Sequence, residues 1–251
     1  MAGLTDQERP LIPTARIRAA QERWHSDGGR AEPMTAMGLD PAGGGRDSAE
    51  IACRHGGWYA PLVSARGEDT ADGSKTAATV MACRRNSAPV VLDVGGGYAS
   101  GVLVRFKDNS VVYAAFNGAN TSTRRTKDGA LTFCNKRAEA WWRMREELDP
   151  DQEGGSVIAI PPDPELLGDL SSPTFEVTTR GVLIESKDDI RKRLGRSPGK
   201  GDAVVMALSE GNRAAERIRS LGTVNFEEHG MSGRMSSLPR VVMGYQNRRN
   251  K

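Results

Sequence analysis

The sequence predicts an α/β fold in which a mixed β-sheet has helices on both faces. From about residue 35, apolar runs of strand length alternate with stretches whose apolar residues recur at helical spacing. The first strands follow one another closely enough to form a hairpin, whereas the later strands are separated by helices. Hairpin strands followed by helix, strand, helix and strand are typical of a mixed sheet that helices cover on both sides.

The first half of the chain contains the predicted strands of the main sheet. They lie at residues 35–40, 48–54, 57–63, 89–93 and 111–116. The second and third of them are joined as a hairpin through His55-Gly-Gly57. Residues 72–85 have helical spacing, with Asp72 as a possible N-cap. Residues 101–106 alternate like a strand but follow a glycine turn that often opens a helix, so both interpretations stay open.

The second half of the chain is richer in helices. They are predicted at residues 136–148, 164–170, 188–194 and 202–210. Pro150 ends the first of them, and Ser186 is expected to cap the third. Residues 157–160 predict a short strand, and residues 174–178 and 181–184 predict a hairpin.

Composition divides the chain into three parts. Residues 1–33 contain three prolines and a short helix at best, which is typical of a linker. Residues 34–210 carry the strand and helix signals and are long enough for one sizeable core. Residues 211–251 are rich in Gly, Ser, Asn and Arg with weak periodicity, so we expect a flexible basic tail.

Several classes of function are excluded by what the sequence lacks. The three cysteines form no CxxC pair, which argues against a zinc site or a disulfide framework. No apolar run reaches about 18 residues and no signal-peptide pattern occurs, so we expect a soluble protein with no membrane partner. There is also no GxxxxGK[ST] motif, and hence no phosphate-binding loop of that type.

Three aspartates stand at the ends of apolar stretches and close to glycine. Asp40 and Asp93 each end a predicted strand, and Asp202 stands at the start of an apolar helical pattern. Sites in such sheets form outside the carboxyl ends of the strands, so the three side chains can meet there. Mutual repulsion would then require a hard divalent cation, Mg²⁺ or Mn²⁺. Asp47 is a candidate auxiliary ligand, although a solvated loop position suits it better.

An ordered set of motifs resembles the nuclease domain of tailed-phage terminase large subunits. The motifs cover roughly residues 34–210 and are Gly38-Leu-Asp40-Pro-Ala-Gly-Gly-Gly-Arg-Asp47, Leu92-Asp93-Val-Gly-Gly-Gly97, Phe116-Asn-Gly-Ala119, Asn135-Lys-Arg-Ala-Glu-Ala-Trp-Trp142, Ile184-Glu-Ser-Lys-Asp-Asp-Ile-Arg-Lys-Arg-Leu-Gly-Arg-Ser-Pro198 and Lys200-Gly-Asp202-Ala203. The resemblance implies an RNase H-like fold and a two-metal endonuclease that cuts concatemeric double-stranded DNA. Asp40 would bridge two Mg²⁺ ions, for which Mn²⁺ substitutes, and Asp93 and Asp202 would complete one site each.

The resemblance also implies partners. A full-length large terminase carries an N-terminal packaging ATPase, and residues 1–33 would be the remnant of the connection to that missing domain. The expected partners are double-stranded DNA, the portal protein, the small terminase subunit and the ATPase domain, at the procapsid portal in the host cytoplasm.

Basic residues near Asp202 predict a track for DNA. Arg191, Lys192 and Arg193, together with Lys200, could hold backbone phosphates beside the metal centre without any preference for base sequence. A solvated helix face is the competing interpretation. A second basic loop contains Arg124, Arg125 and Lys127, where the solvated interpretation is favoured.

Two other functions are compatible with the same residues. A nuclease similar to Holliday-junction resolvases would share the strand-end carboxylates, but would be a dimer that prefers branched DNA. A non-catalytic module that docks on DNA or the portal would not respond to Mg²⁺ or Mn²⁺. Taken singly, Asp40 and Asp93 could be strand-end caps and Asp202 a helix N-cap.

Overall fold

A six-stranded mixed sheet lies at the centre of the part of the chain that this computed structural model describes, residues 10–29, 32–211 and 213–214. Its strands are β1 (Ala36–Asp40), β2 (Ala49–His55), β3 (Trp58–Tyr59), β4 (Val63–Ala65), β5 (Val90–Asp93) and β6 (Tyr113–Phe116). The order across the sheet is β3-β2-β1-β5-β6, and β4 also pairs with β2. Strands β1, β5 and β6 are parallel, whereas β2 is antiparallel to β1, β3 and β4.

Helices cover both faces of this sheet, as the sequence predicts. They are α1 (Thr14–Glu22), α2 (Ser74–Cys83), α3 (Ser100–Asp108), α4 (Lys136–Glu147), α5 (Pro164–Ser171), α6 (Lys187–Leu194) and α7 (Gly199–Ser209). Helices α2 and α3 pack on one face, and α7 on the other with α4, α5 and α1 around it. Strands β7 (Phe175–Thr178) and β8 (Gly181–Ile184) form a separate antiparallel hairpin. No helix in the described residues is long and apolar enough to cross a membrane.

The alternation of side chains along the strands decides which face receives each residue. In β1, Met37 and Leu39 belong to the core beneath α2 and α3. Gly38 and Asp40 alternate with them and point the other way, so Asp40 faces α7. In β5, Val91 packs on the α7 side, which places Asp93 on that face as well. The carboxylates at the ends of β1 and β5 therefore both point toward helix α7.

Helix α7 lies unusually close to β1. A Cβ atom on Gly38 would be 1.9 Å from the carbonyl oxygen of Ala203, so only glycine fits at this position. The contact brings the first turn of α7, which contains Asp202, directly over the end of β1.

Most of the predicted elements are confirmed, and the exceptions are informative. Residues 101–106 belong to helix α3, which resolves the ambiguity of that stretch. The predicted strand at 157–160 is wrong, because only an isolated bridge joins Ala159 to Trp58. The predicted strand at 57–63 is divided between β3 and β4.

Two predicted helix caps are also corrected. Helix α7 begins at Gly199, three residues before Asp202, with Pro198 at the N-cap position. Asp202 is therefore inside the helix, which removes its interpretation as an N-cap. Gly73, not Asp72, is the N-cap of α2. Asp72 instead accepts a hydrogen bond from the backbone nitrogen of Ser74 at 2.9 Å.

Helix α1 is part of the hydrophobic core that contains α4, α5 and α7. Leu11, Ile12 and Ile17 are fully buried there, so the core begins before residue 34. The interpretation of residues 1–33 as a connection to an absent ATPase domain stays a prediction. Almost all of the predicted tail at 211–251 lies outside the described residues.

Substitution of Gly38 tests the close packing of α7 on β1. We expect Gly38→Ala to lower the free energy of unfolding by about 1–3 kcal/mol, because the added methyl group forces the helix away from the strand. Urea denaturation measures the loss. Gly45→Ala is the matched control, since a Cβ atom there would meet nothing within 4 Å. Equal stability of the two variants would contradict the packing argument.

Candidate metal centre

The three predicted aspartates lie together in one open cleft of about 730 Å³. Asp40 and Asp93 end neighbouring parallel strands, so both carboxylates stand at the same edge of the sheet. Asp202 enters from the first turn of α7. Three elements that are distant in sequence thus contribute one carboxylate each to the cleft.

An ammonium group lies between two of these carboxylates. Lys187 Nζ is 2.9 and 3.0 Å from the two oxygens of Asp40. It is also 3.1 Å from Oδ2 of Asp202. Lys187 is the first residue of α6, whose start is fixed by Ser186: its hydroxyl accepts a hydrogen bond from the backbone nitrogen of Asp189. The protein therefore neutralises part of the acidic cluster with its own cation.

Asp202 is held by two further donors. Arg137 Nη1 donates to its Oδ1 at 2.6 Å, and the indole nitrogen of Trp141 donates to the same oxygen at 3.1 Å. Both donors come from α4, where Asn135 caps the first turn. The guanidinium of Arg137 also lies 5.4 Å from the centre of the Trp141 ring. These contacts fix the orientation of Asp202.

The three carboxyl groups have different acidities because their surroundings differ. Burial raises the pKa of Asp40 to about 7, against the opposing effect of Lys187. Burial also raises the pKa of Asp93. For Asp202, burial opposes ionisation, but the charges of Arg137 and Lys187 outweigh it and lower the pKa to about 2. Asp202 is thus the most acidic carboxyl group of the set, whereas burial moves the ionisation of Asp40 toward neutral pH.

The donor set suits a hard divalent cation. Carboxylate oxygens are the ligands that Mg²⁺ and Mn²⁺ prefer, and three of them repel one another when no cation is present. Within the described residues, no group of three or more acidic, histidine or cysteine side chains is already arranged around one metal position. The ammonium of Lys187 occupies the space between Asp40 and Asp202. The chemistry of the three carboxylates nevertheless fits a hard divalent cation.

The cleft also contains Asp47 and Arg191, which pair with each other at 3.0 Å. This ion pair joins the glycine-containing loop after β1 to helix α6. Asp47 therefore lies near the metal centre with a partner of its own, and its role as an auxiliary ligand stays a prediction.

The predicted DNA-contacting residues are distributed unevenly around the cleft. Arg191 lines it and is 57% exposed at its side chain. Lys192 pairs with Asp189 at 3.0 Å on the solvent side of α6.

The other two predicted DNA contacts have carboxylate partners. Arg193 donates to Glu185 at 2.6 Å. Lys200 is only 14% exposed and pairs with Asp163 at 2.7 Å and Glu165 at 2.8 Å. Contact with DNA stays a prediction for all four residues.

The sequence does not predict the contributions of Lys187, Arg137 and Trp141 to the site. The motifs that contain these residues can be recognised in the sequence. A motif does not show, however, which carboxylate a lysine or an arginine pairs with in the fold. Trp141 packs in the core with 1% exposure. Its hydrogen bond to Asp202 depends on the packing of α4 against α7.

No protein-family model matches the chain, and no curated protein matches it. Similar solved structures do exist. The nuclease domain of the large terminase subunit gp2 of bacterial virus Sf6 is 18% identical with a TM-score of 0.58, over 78% of this chain and 97% of that chain. A lysine-to-alanine variant of the same domain, solved with manganese and beta-thujaplicinol, gives the same values.

The large terminase nuclease of thermophilic phage G20c is a further similar structure. It is 16% identical with a TM-score of 0.51, over 72% of this chain and 84% of that chain. At these identities the similarity establishes the fold and nothing more. The predicted RNase H-like fold, a mixed sheet flanked by helices, is confirmed.

Removal of the Lys187 ammonium tests its role as an internal cation. In EDTA at mildly alkaline pH, we expect Lys187→Ala to lower the free energy of unfolding by about 2–3 kcal/mol, because Asp40 and Asp202 are left unneutralised. This expected loss of unfolding free energy is smaller than the loss on breaking a fully buried ion pair, because the lysine side chain is 35% exposed. Addition of Mg²⁺ or Mn²⁺ is expected to restore much of the loss.

The loss of stability in Lys187→Ala is expected to depend on pH. The pKa of Asp40 in the folded protein is about 7, above its ordinary value of 3.8, so its protonation favours the folded state at low pH. The destabilisation of Lys187→Ala is therefore expected to grow as pH rises through 7 and to shrink in acid. Urea denaturation across pH measures it, with Lys192→Ala on the exposed face of α6 as control. A loss that is independent of both pH and cations would contradict the role of Lys187.

Proposed function

We propose that this protein is a metal-dependent DNA endonuclease. The observation that carries the proposal is the convergence of Asp40, Asp93 and Asp202 on one cleft around a single displaceable ammonium. The fold supports it, because the similar solved structures are nuclease domains of phage large terminase subunits. The ordered motifs of the sequence support the more specific proposal of a terminase nuclease.

The three aspartates would hold two divalent cations. Mg²⁺ suits these oxygen ligands, and Mn²⁺ would substitute. When bound, such a pair supplies an activated water and stabilises the leaving 3′-oxygen in phosphodiester hydrolysis. The remaining steps concern the side chains of the protein.

Lys187 would have a role with and without the cations. Its ammonium contacts the same oxygens of Asp40 and Asp202 that a divalent cation would need, so it would give them up on cation binding. Because the side chain lines the cleft, its positive charge would then be available to a phosphate oxygen of the substrate.

Asp40 and Asp202 respond differently to pH. Asp202 stays ionised because Arg137 and Lys187 lower its pKa to about 2. Asp40 is ionised only in part near neutrality, since burial raises its pKa to about 7. Cation binding requires the ionised form, so metal affinity and cleavage are expected to rise as pH increases through neutrality.

The biological setting follows from the terminase proposal. The substrate would be concatemeric double-stranded DNA during genome packaging, and the protein would act in the host cytoplasm with the portal protein, the small terminase subunit and a packaging ATPase domain. Arg191, which lines the cleft beside Asp47, would be a main phosphate contact on α6.

Plasmid cleavage by the full chain with Mg²⁺, Mn²⁺ or EDTA tests the proposed activity. We expect cutting that requires a divalent cation, and we expect Asp40→Asn to lower its rate by at least about 100-fold, beyond what the loss of an outer-shell contact costs. Asn keeps the size of the side chain and removes the charge that the cations need. Asp69→Asn is the control, because Asp69 pairs with Lys75 outside the cleft.

Three outcomes separate the possibilities. Metal-dependent cutting that is lost in Asp40→Asn but kept in Asp69→Asn supports the nuclease. A dimer that cuts branched DNA in preference to a plasmid would favour a resolvase-like activity. No cutting and no binding of Mn²⁺ in a calorimetric titration would leave a docking module and reject the nuclease.

DNA binding in EDTA tests the basic track. We expect Arg191→Ala to weaken binding and to reduce the salt slope by roughly 0.9, because one phosphate contact is lost. Lys200→Ala is the comparison, since two carboxylates already hold this lysine. Fluorescence anisotropy of a labelled duplex at several salt concentrations measures both. If Lys200→Ala weakened DNA binding more than Arg191→Ala, the result would indicate that DNA binds on the side of the molecule that contains α5.

A further inference from the structure

A second cavity, of about 440 Å³, has walls rich in arginine. It lies between the turn that joins β2 to β3, the second half of α4 and the C-terminal end of α7. Its four guanidinium groups belong to Arg54, Arg124, Arg143 and Arg213. The wall contains one carboxylate, that of Glu147. We refer to this space as the arginine cavity.

The arginine cavity is separate from the metal centre. The two share no lining residue. Helices α4 and α7 connect them, because each begins at the metal cleft and each reaches the arginine cavity further along. Arg143 follows Arg137 by six residues on α4, and Ser209 follows Asp202 by seven on α7, which correspond to rises of about 9 and 10.5 Å.

Two of the four guanidinium groups have no short ion pair with a carboxylate of the described residues, although the charge of Arg124 helps to lower the pKa of Glu139. Arg124, on the loop before α4, makes no side-chain hydrogen bond or ion pair with any residue that the structure describes. The carboxylate paired with Arg143, that of Glu146, is at 3.9 Å, the outer limit of an ion pair. By contrast, Arg213 is bound by Glu139 and Glu210.

The single carboxylate in the wall is already engaged. Glu147 pairs with Lys127 at 3.0 Å, so it offers little opposition to an anion in the cavity. The hydroxyl of Ser209 in the same wall is buried and has no hydrogen-bond partner among the described residues. It is therefore available as a donor. At the rim, Val157 is 68% exposed and offers an apolar surface next to the charged wall.

We propose that the arginine cavity binds phosphate groups. The planar guanidinium presents paired donors that match phosphate oxygens, and two such groups without a short ion pair line one half-open space. The volume exceeds that of one phosphate and falls in the usual range for small-ligand sites. The phosphate can come from a DNA backbone that passes over the cavity or from a free compound such as a nucleotide. This proposal does not depend on the nuclease activity.

Binding measurements on the full chain in EDTA test the cavity without any cleavage. Calorimetric titration with pyrophosphate and with ATP measures free phosphate compounds, and anisotropy of a short fluorescent duplex measures DNA. The variant is Arg124→Ala with Arg143→Ala. We expect its affinity to fall about tenfold or more, since each arginine donates a charge-assisted hydrogen bond to phosphate.

The matched control is Arg66→Ala with Arg180→Ala. Both arginines are exposed and lie outside the two cavities, and the ion pair of Arg66 with Glu68 is as long as that of Arg143, at 3.9 Å. A second variant, Arg124→Gln with Arg143→Gln, keeps side-chain bulk and hydrogen bonding while it removes charge. Thermal unfolding of every variant establishes that the fold is intact.

The measurements with free phosphate compounds and with the DNA duplex together identify the source of the phosphate. Affinity that falls for pyrophosphate and ATP identifies a site for free phosphate compounds. Affinity that falls only for the duplex, with a salt slope reduced by up to about 2, identifies a DNA backbone contact. If the cavity variants and the control variant have the same affinity for the free phosphate compounds and for the duplex, the proposal is overturned. A failed cleavage assay has no bearing on it, because no step here requires the metal centre.

Discussion

Repulsion among Asp40, Asp93 and Asp202 is the constraint on which the site depends. Two like charges about 4 Å apart cost on the order of 4 kcal/mol in a partly screened environment, so the cluster requires a counter-charge. Lys187 and Arg137 supply it, and burial leaves Asp40 with a pKa of about 7. The counter-charges of the three carboxylates are thus side chains of the protein itself.

This cluster exists only because β1 and α7 approach closely. Gly38 removes the side chain that would separate them, and the alternation along β1 turns Asp40 toward the helix. Helix α4 then packs beside α7 and brings Arg137 and Trp141 to Asp202. The same contacts thus hold the core together and position the three carboxylates. Any change in the position of α7 alters both.

Helices α4 and α7 also organise the rest of the molecule. Their first turns contribute to the metal cleft, and their later turns line the arginine cavity. The two spaces differ in charge: five carboxylates and four cationic side chains line the cleft, whereas four guanidinium groups and one carboxylate line the arginine cavity. A phosphate compound bound in the arginine cavity would contact the same pair of helices that positions Asp202.

The sequence alone determined the order and type of most elements and the identity of the three aspartates. Strand and helix periodicity are local properties, and a carboxylate at the end of an apolar run is visible without a fold. Only the tertiary structure decided that Asp202 lies inside α7, that α1 belongs to the core, and that Lys187 stands between Asp40 and Asp202. It also separated Arg191, in the cleft, from Lys200, which two carboxylates hold. The physical reason is that the partner of a charged side chain is set by contacts between elements far apart in sequence. Local patterns of residues contain no record of those contacts.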